Sequence, residues 1–397
     1  MFTTIKPRPV AGFFVYRHLG LARCNIGYMK RFLPLLIILP LLLWVGCEEE
    51  EQEDQQTFTP IIEGRKVYIS GFYQDSTLDQ MVACYWLDGI RVDLEYGAAE
   101  DITVQNGDVY VAGQWFDYTG WNGEACYWIN GIRYDLQDGG NPDVEVTGIA
   151  VDNGDVYVSG VRSDGSMFGT NACYWKNGVR TDLTGSNIDA MANSIGINNG
   201  DVYVTGWRIQ NHASIACYWK NGNINNLHGT SYFGDAYDID FKGDDFYIAG
   251  ERGAASSDAW NACYWKNGNV NNVSRNSSFG NSWGATAFGI FLDGNDVYLA
   301  GYNAIANKFD IGCKWKNGNL HELSGSTANE QQTWLYDIAV ANGVKITVGF
   351  YYTFIEDEND PLYYDSPIFA IYYRNGQRVN LEESEWQVGE ATGVFIE

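Results

Sequence analysis

Three observations in the sequence predict an all-β chain of seven repeated four-stranded units closed into a ring. A short segment, Ala-Cys-Tyr-Trp, recurs at 83–86, 125–128, 172–175, 216–219 and 262–265, then weakens to Gly-Cys-Lys-Trp at 312–315 and Ala-Ile-Tyr-Tyr at 370–373. Successive copies end 42 to 58 residues apart, a period that belongs to solenoids or radial arrays of small sheets. Between the copies, apolar and β-branched runs alternate with Asn-Gly turns, and no helical period replaces them.

The chain begins differently. Residues 1–46 hold six basic side chains (Lys6, Arg8, Arg17, Arg23, Lys30 and Arg31) and no acidic one, so all 50 Asp and Glu follow that point. The net charge of -25 describes a surface that repels nucleic acid. Lys30 and Arg31 precede an apolar run at 32–46, which stops at Cys47 before Glu-Glu-Glu-Glu-Gln-Glu-Asp. As a helix that run spans roughly 22 Å, short of the roughly 30 Å of a bilayer core, which favours a signal peptide over a permanent span. The pattern resembles a bacterial lipoprotein signal, which implies cleavage before Cys47 and a lipid on that residue. The acidic stretch resembles the surface-export tether of Bacteroides-type lipoproteins and reads physically as a self-repelling spacer. Met29 is the better start, because a short basic region beginning there needs none of the preceding residues. The expected organisation is a signal region over 1–46, a lipidated Cys47 and tether over 47–62, and the ring over 63–397, placed in the bacterial outer membrane with a possible outward display.

The third unit shows the internal order: Thr-Gly-Ile-Ala-Val at 147–151, a turn at Asn153-Gly154-Asp155, Val-Tyr-Val-Ser-Gly at 156–160, a variable stretch, Ala-Cys-Tyr-Trp-Lys at 172–176, a turn at Asn177-Gly178, and Val-Arg-Thr-Asp-Leu at 179–183. Asn and Gly accept the positive φ of a type I′ turn, so each pair reads as a hairpin. Four such strands repeated seven times make a seven-bladed β-propeller. The first unit opens at its second strand, 67–71, while 391–396 has the wording of the missing first strand. The C-terminus is therefore expected to complete the N-terminal blade, leaving no exposed edge.

The repeats resemble propeller families of the kelch and WD type in architecture. In wording they resemble the extracellular HAF repeat over about residues 63–397, with Ala-Cys-Tyr-Trp standing where that family has His-Ala-Phe-Leu-Trp. The resemblance implies an extracytoplasmic repeat protein and no defined reaction.

Cys84, Cys126, Cys173, Cys217, Cys263 and Cys313 occupy one position in six units. Ring symmetry holds them too far apart for disulfides or for four convergent zinc ligands, so they read as small buried hydrophobes. The Trp series 86, 128, 175, 219, 265 and 315 lies two residues on, on the same strand face, and reads as scaffold. The Asn-Gly-Asp turns lack the carboxylate spacing of a calcium loop. Asp101, Asp238 and Asp337 sit on inner strands, where they approach the central channel and a cation or water cluster there is an open alternative.

Turns between first and second, and third and fourth, strands share one rim and are uniform; the other connections vary and form the candidate face. That rim carries aromatics outside the scaffold positions: Trp115, Tyr118, Trp121, Trp207, Trp260, Trp283, Trp334, Tyr352 and Trp386. Flat rings beside Asn, Asp and Gln suit a glycan or a protein partner. The insertion at 351–367, with Glu356, Asp357, Glu358 and Asp360 beside Tyr363 and Tyr364, reads as a solvated tip or a contact arm. Of four His residues only His212, His228 and His321 follow Cys47, and no HExxH motif occurs. The reading is a monomeric, non-catalytic lipoprotein binding module with no cofactor. An envelope assembly component and a carbohydrate-active enzyme are the alternatives, the last requiring two carboxyls that converge on the rim or channel.

Overall fold

A computed structural model describes residues 61–75, 80–117, 123–137, 144–163, 169–185, 188–254, 260–273, 282–305, 310–323, 331–353, 367–381 and 388–397. The first blade contains β1 (Val67–Asp75), β2 (Gln80–Leu87) and the first half of β3 (Ile90–Gln105). The second contains the rest of β3, β4 (Asp108–Phe116), β5 (Gly123–Ile129) and β6 (Ile132–Asp135). The third holds β7 (Val144–Asp152), β8 (Asp155–Ser163), β9 (Thr170–Lys176) and β10 (Val179–Asp182). The fourth holds β11 (Ala190–Asn198), β12 (Asp201–Gln210), β13 (Ala213–Lys220) and β14 (Asn223–Asn226). The fifth holds β15 (Tyr232–Lys242), β16 (Asp245–Ala254), β17 (Asn261–Lys266) and β18 (Asn269–Asn272). The sixth holds β19 (Ser282–Asp293), β20 (Asp296–Ile305), β21 (Ile311–Lys316) and β22 (Asn319–Glu322). The seventh holds β23 (Gln331–Ala341), β24 (Val344–Thr353), β25 (Ile368–Arg374) and β26 (Gln377–Asn380), and β27 (Gly389–Ile396) returns to the first.

Each inner strand touches the inner strand of the next blade, and β23 touches β27, which touches β3, so the ring of seven is closed. The seam is the antiparallel pair of β1 and β27, from Val67 opposite Ile396 to Tyr73 opposite Gly389. Reciprocal backbone bonds between Lys66 and Glu397, at 3.0 and 3.3 Å, extend it. One departure from seven separate sheets is β3, which pairs with β2 up to Tyr96 and with β4 from Gly97. It joins the first two blades into one seven-stranded sheet. Gly97 makes the change of partner, with φ at 147° and the Gln114 carbonyl oxygen 1.9 Å from where a Cβ would lie.

The repeated segment builds the packing between blades. Trp86, Trp128, Trp175, Trp219, Trp265 and Trp315 are fully buried, as are the six cysteines, all of them free thiols. Each Cys lies opposite a Gly of the second strand, as Cys173 lies opposite Gly160. Trp219 and Cys217 of the fourth blade pack on Tyr157 and Ala172 of the third, and Trp265 and Cys263 of the fifth pack on Tyr203 and Ala216 of the fourth. These blades thus present an Ala and Tyr face to the Cys and Trp face of the next, while the seventh blade packs Ile371 and Tyr373 against the sixth in their place. The turns carry positive φ at both residues, as at Asn106 (55°) and Gly107 (86°), the geometry of type I′ hairpins.

Candidate binding site at the channel mouth

The site begins with a backbone irregularity. In all seven blades the inner strand slips register against the second strand by one residue. A β-bulge of this kind sets one residue outside the strand ladder and re-aims its side chain. The residues so placed are Glu100, Thr147, Asn193, Tyr237, Phe288, Tyr336 and Thr392, all half-buried. Their chemistry divides the ring. Thr392, Thr147 and Asn193 each donate a hydrogen bond to a backbone carbonyl of the next blade's inner strand, at Ala99 (3.0 Å), Ala192 (2.9 Å) and Ala236 (2.8 Å). Tyr237, Phe288 and Tyr336 instead pack on one another across three consecutive blades, with ring centroids 4.8 and 5.6 Å apart.

Further rings continue this aromatic wall. Trp334 stacks on Tyr302 at 5.2 Å with planes 14° apart, and Phe350 stacks on Tyr352 at 6.1 Å. Phe350 also meets Trp334 and Tyr336 at 5.8 and 5.7 Å. Their polar edges are fixed: the Tyr352 hydroxyl donates to Gln332 Oε1 (2.6 Å), while Gln332 Nε2 and Trp334 Nε1 both donate to Asp310 Oδ2 at 2.9 Å. Burial raises the Asp310 carboxyl and pushes the Tyr352 phenol up to about 12. The result is a packed aromatic cluster in which Tyr302 and Phe350 are buried and Tyr237, Phe288, Trp334, Tyr336 and Tyr352 are half-buried, bordered by hydroxyl, amide and carboxyl groups.

Two acids lie at the edge of the wall. Asp235 on β15 is directly opposite Glu251 on β16. The Tyr237 hydroxyl is 3.3 Å from an oxygen of each. Ser214 donates to the other Asp235 oxygen at 2.8 Å, and Thr286 donates to the other Glu251 oxygen. Burial raises both carboxyls above the usual range, and the neighbouring Asp235 charge raises Glu251 further. Two such acids sharing one partner resist joint ionisation.

On the same inner strands, Asp101, Asp238 and Asp337 act as clasps between blades. Each accepts the backbone N–H of the following residue and that of the next blade's inner strand: Ile149 at 2.8 Å for Asp101, Ile290 at 2.9 Å for Asp238 and Val394 at 2.9 Å for Asp337. Burial pushes Asp101 up to about 7 and raises the other two, Asp337 further through the Asp238 charge. No group of three or more His, Cys, Asp or Glu among the described residues is arranged to hold a metal ion.

Of the rim aromatics expected from the sequence, Trp334 and Tyr352 belong to the wall. Trp115 lies apart in the second blade under the Arg133 guanidinium at 4.6 Å, Trp207 lies on β12 opposite Met191 and Ala216, and Trp260 meets Phe233 at 6.3 Å. Tyr118, Trp121, Trp386, the Trp283 side chain, Cys47 and residues 354–366 of the seventh-blade insertion lie outside the described residues. The sequence reading missed Tyr237, Phe288, Tyr336, Asp235 and Glu251. A signal existed for the last: the residue after the recurrent Gly of the second strand is Phe72, Gln114, Val161, Trp207, Glu251, Tyr302 or Phe350, and only one of these is an acid.

No protein-family model matches the chain, and no curated protein matches it. Among solved structures it is similar to the acylaminoacyl peptidase of Pyrococcus horikoshii, at 11% identity and a TM-score of 0.47 over 80% of this chain and 50% of that one. It is similar to the β-propeller domain of the Trilobed protease from Pyrococcus furiosus at 10% identity and a TM-score of 0.46, over 82% and 94%. A mutant of AofleA from Arthrobotrys oligospora is similar at 10% identity and a TM-score of 0.40, over 75% and 87%. The chain spans about half the length of the peptidase it matches, and identities this low transfer no residue roles.

Proposed function

We propose that this protein is a non-catalytic binding module that captures a saccharide on the aromatic wall of the fifth to seventh blades, held outside the cytoplasm by a lipid on Cys47. The observation that carries the reading is the aromatic occupation of three consecutive bulge positions, where the other blades have Thr, Asn or Glu. Ring faces receive sugar C–H groups, and the bordering groups of Gln332, Asp310 and Tyr352 suit sugar hydroxyls. Preordered rings cost little entropy on binding. The lipid anchor and envelope location rest on the basic, apolar and Cys47 pattern of the N-terminal sequence.

A glycan-array and polysaccharide screen on the purified protein tests this, with Phe288→Ala as the site variant and Trp115→Ala as the control. Binding lost in the first and kept in the second is the expected result. Binding lost equally in both moves the site off the wall, and no binding by folded protein favours an envelope partner, to be sought by cross-linking on intact cells. The facing carboxyls of Asp235 and Glu251 favour one second reading, a carbohydrate-active enzyme. Release of reducing sugar that stops in Glu251→Gln would support it over capture.

A further inference from the structure

The geometry points to a single proton shared by Asp235, Tyr237 and Glu251, which locks the Tyr237 ring into the end of the aromatic wall and leaves the wall loosened when it departs. Its consequence for saccharide capture rests on the function proposed above; the proton itself does not.

The argument is a count of hydrogens. Four carboxyl oxygens each have one hydroxyl neighbour: Ser214 for Asp235 Oδ1, Tyr237 for Asp235 Oδ2 and for Glu251 Oε1, and Thr286 for Glu251 Oε2. Three hydroxyls supply three hydrogens, since a phenol has only one. With both acids ionised, one carboxylate oxygen would face the lone pairs of the Tyr237 oxygen. One added proton resolves this, with Glu251 donating to the Tyr237 oxygen and Tyr237 donating to Asp235. Glu251 is the better holder, being 8% exposed where Asp235 is half-buried, because burial penalises charge. A phenol held from both sides fixes its ring, and that ring meets Phe288 edge-on, with planes 72° apart.

The two bases nearest the pair besides Arg252 are turned elsewhere: Arg208 on β12 donates to Gln210 and Asn226, and His228, which lies against Gly234, accepts the Ala216 N–H at Nε2 and is held toward its neutral form by burial. Also around the pair, from β13 comes Ser214, from β17 the buried Cys263, from β19 Thr286, and from β20 Tyr302, with Asp310 beyond it; burial raises the last two as well. Arg252, next to Glu251 on β16, turns its guanidinium to the Tyr232 ring at 5.0 Å. Asp238 on β15 is engaged by the Ile239 and Ile290 N–H groups. Burial and the Asp235 charge both hold Glu251 toward its neutral form.

Infrared spectroscopy of the ligand-free wild type tests this, with glutamate carboxyls ¹³C-labelled. The expected result at neutral pH is a protonated-carboxyl band that shifts on labelling, disappears on raising the pH, and is missing from Glu251→Gln. Near-ultraviolet circular dichroism, which reads ring packing, is expected to change with the same midpoint in the wild type and to lose that change in Tyr237→Phe. The labelled wild type needs no variant, so a misfolded Glu251→Gln leaves the test intact. Absence of a glutamate-derived band, or a dichroism change that does not follow it, overturns the proposal. A null saccharide screen would sink the function above and leave these measurements unaffected.

Discussion

The two sides of the channel mouth use one backbone device for opposite purposes. At the bulge positions of the first, third and fourth blades, Thr392, Thr147 and Asn193 reach across to the next blade's carbonyls and pin the ring together. At the fifth to seventh, Tyr237, Phe288 and Tyr336 pack on one another, and the Tyr336 hydroxyl donates to Glu390 of the next blade at 3.4 Å. A bulge costs a ladder bond wherever it occurs. On the polar side a side-chain hydrogen bond offsets that cost, and on the aromatic side ring packing does. The difference teaches that the scaffold tolerates either filling, so these positions are free to vary without altering the ring.

The largest test removes the seam that belongs to both sides. Deleting residues 391–397 takes away Thr392 and most of the partner of β1, and is expected to abolish cooperative unfolding or lower the Tm by more than about 10 °C, a shift of at least a few kcal/mol for a chain this size. An unchanged melting temperature would refute closure by this strand.

Next in size, Trp219→Ala on the polar side and Trp265→Ala on the aromatic side should each cost about 3–5 kcal/mol in denaturant unfolding, because both rings are fully buried. Equal costs confine the asymmetry to the bulge ring; a much larger cost on one side would extend it into the blade interfaces.

A smaller and sharper pair separates stability from binding. Asn193→Ala should lower stability by about 1 kcal/mol, the worth of one hydrogen bond, and leave saccharide affinity unchanged by calorimetry. Tyr336→Ala should weaken affinity by about tenfold or more. The reverse pattern would place the ligand on the polar side.

What recurs seven times was readable. Blade number, hairpin turns and closure at 391–396 all follow from residues repeated in register, and the buried Cys and Trp positions follow from the period of two within 172–176. The bulges were not readable, because one extra residue per inner strand looks the same in every copy and so disturbs no repeat. The variable rim pointed to Trp334 and Tyr352, yet also to Trp115, Trp207 and Trp260, since aromaticity alone does not say which rings converge. Asp235 and Glu251 lie 16 residues apart in sequence, and only the hairpin register of β15 and β16 sets them face to face. The merging of two blades through β3 likewise turns on Gly97, one residue whose handedness no pattern announces.

The seam also orders events in time. Val67 pairs with Ile396, so β1, made early in synthesis, waits for β27. Contacts this distant in sequence form late, and β1 keeps an open edge until the C-terminus arrives. A chain cut short anywhere before residue 389 therefore ends with that edge unsatisfied, a lasting mark by which a protease can tell an unfinished copy from a finished one.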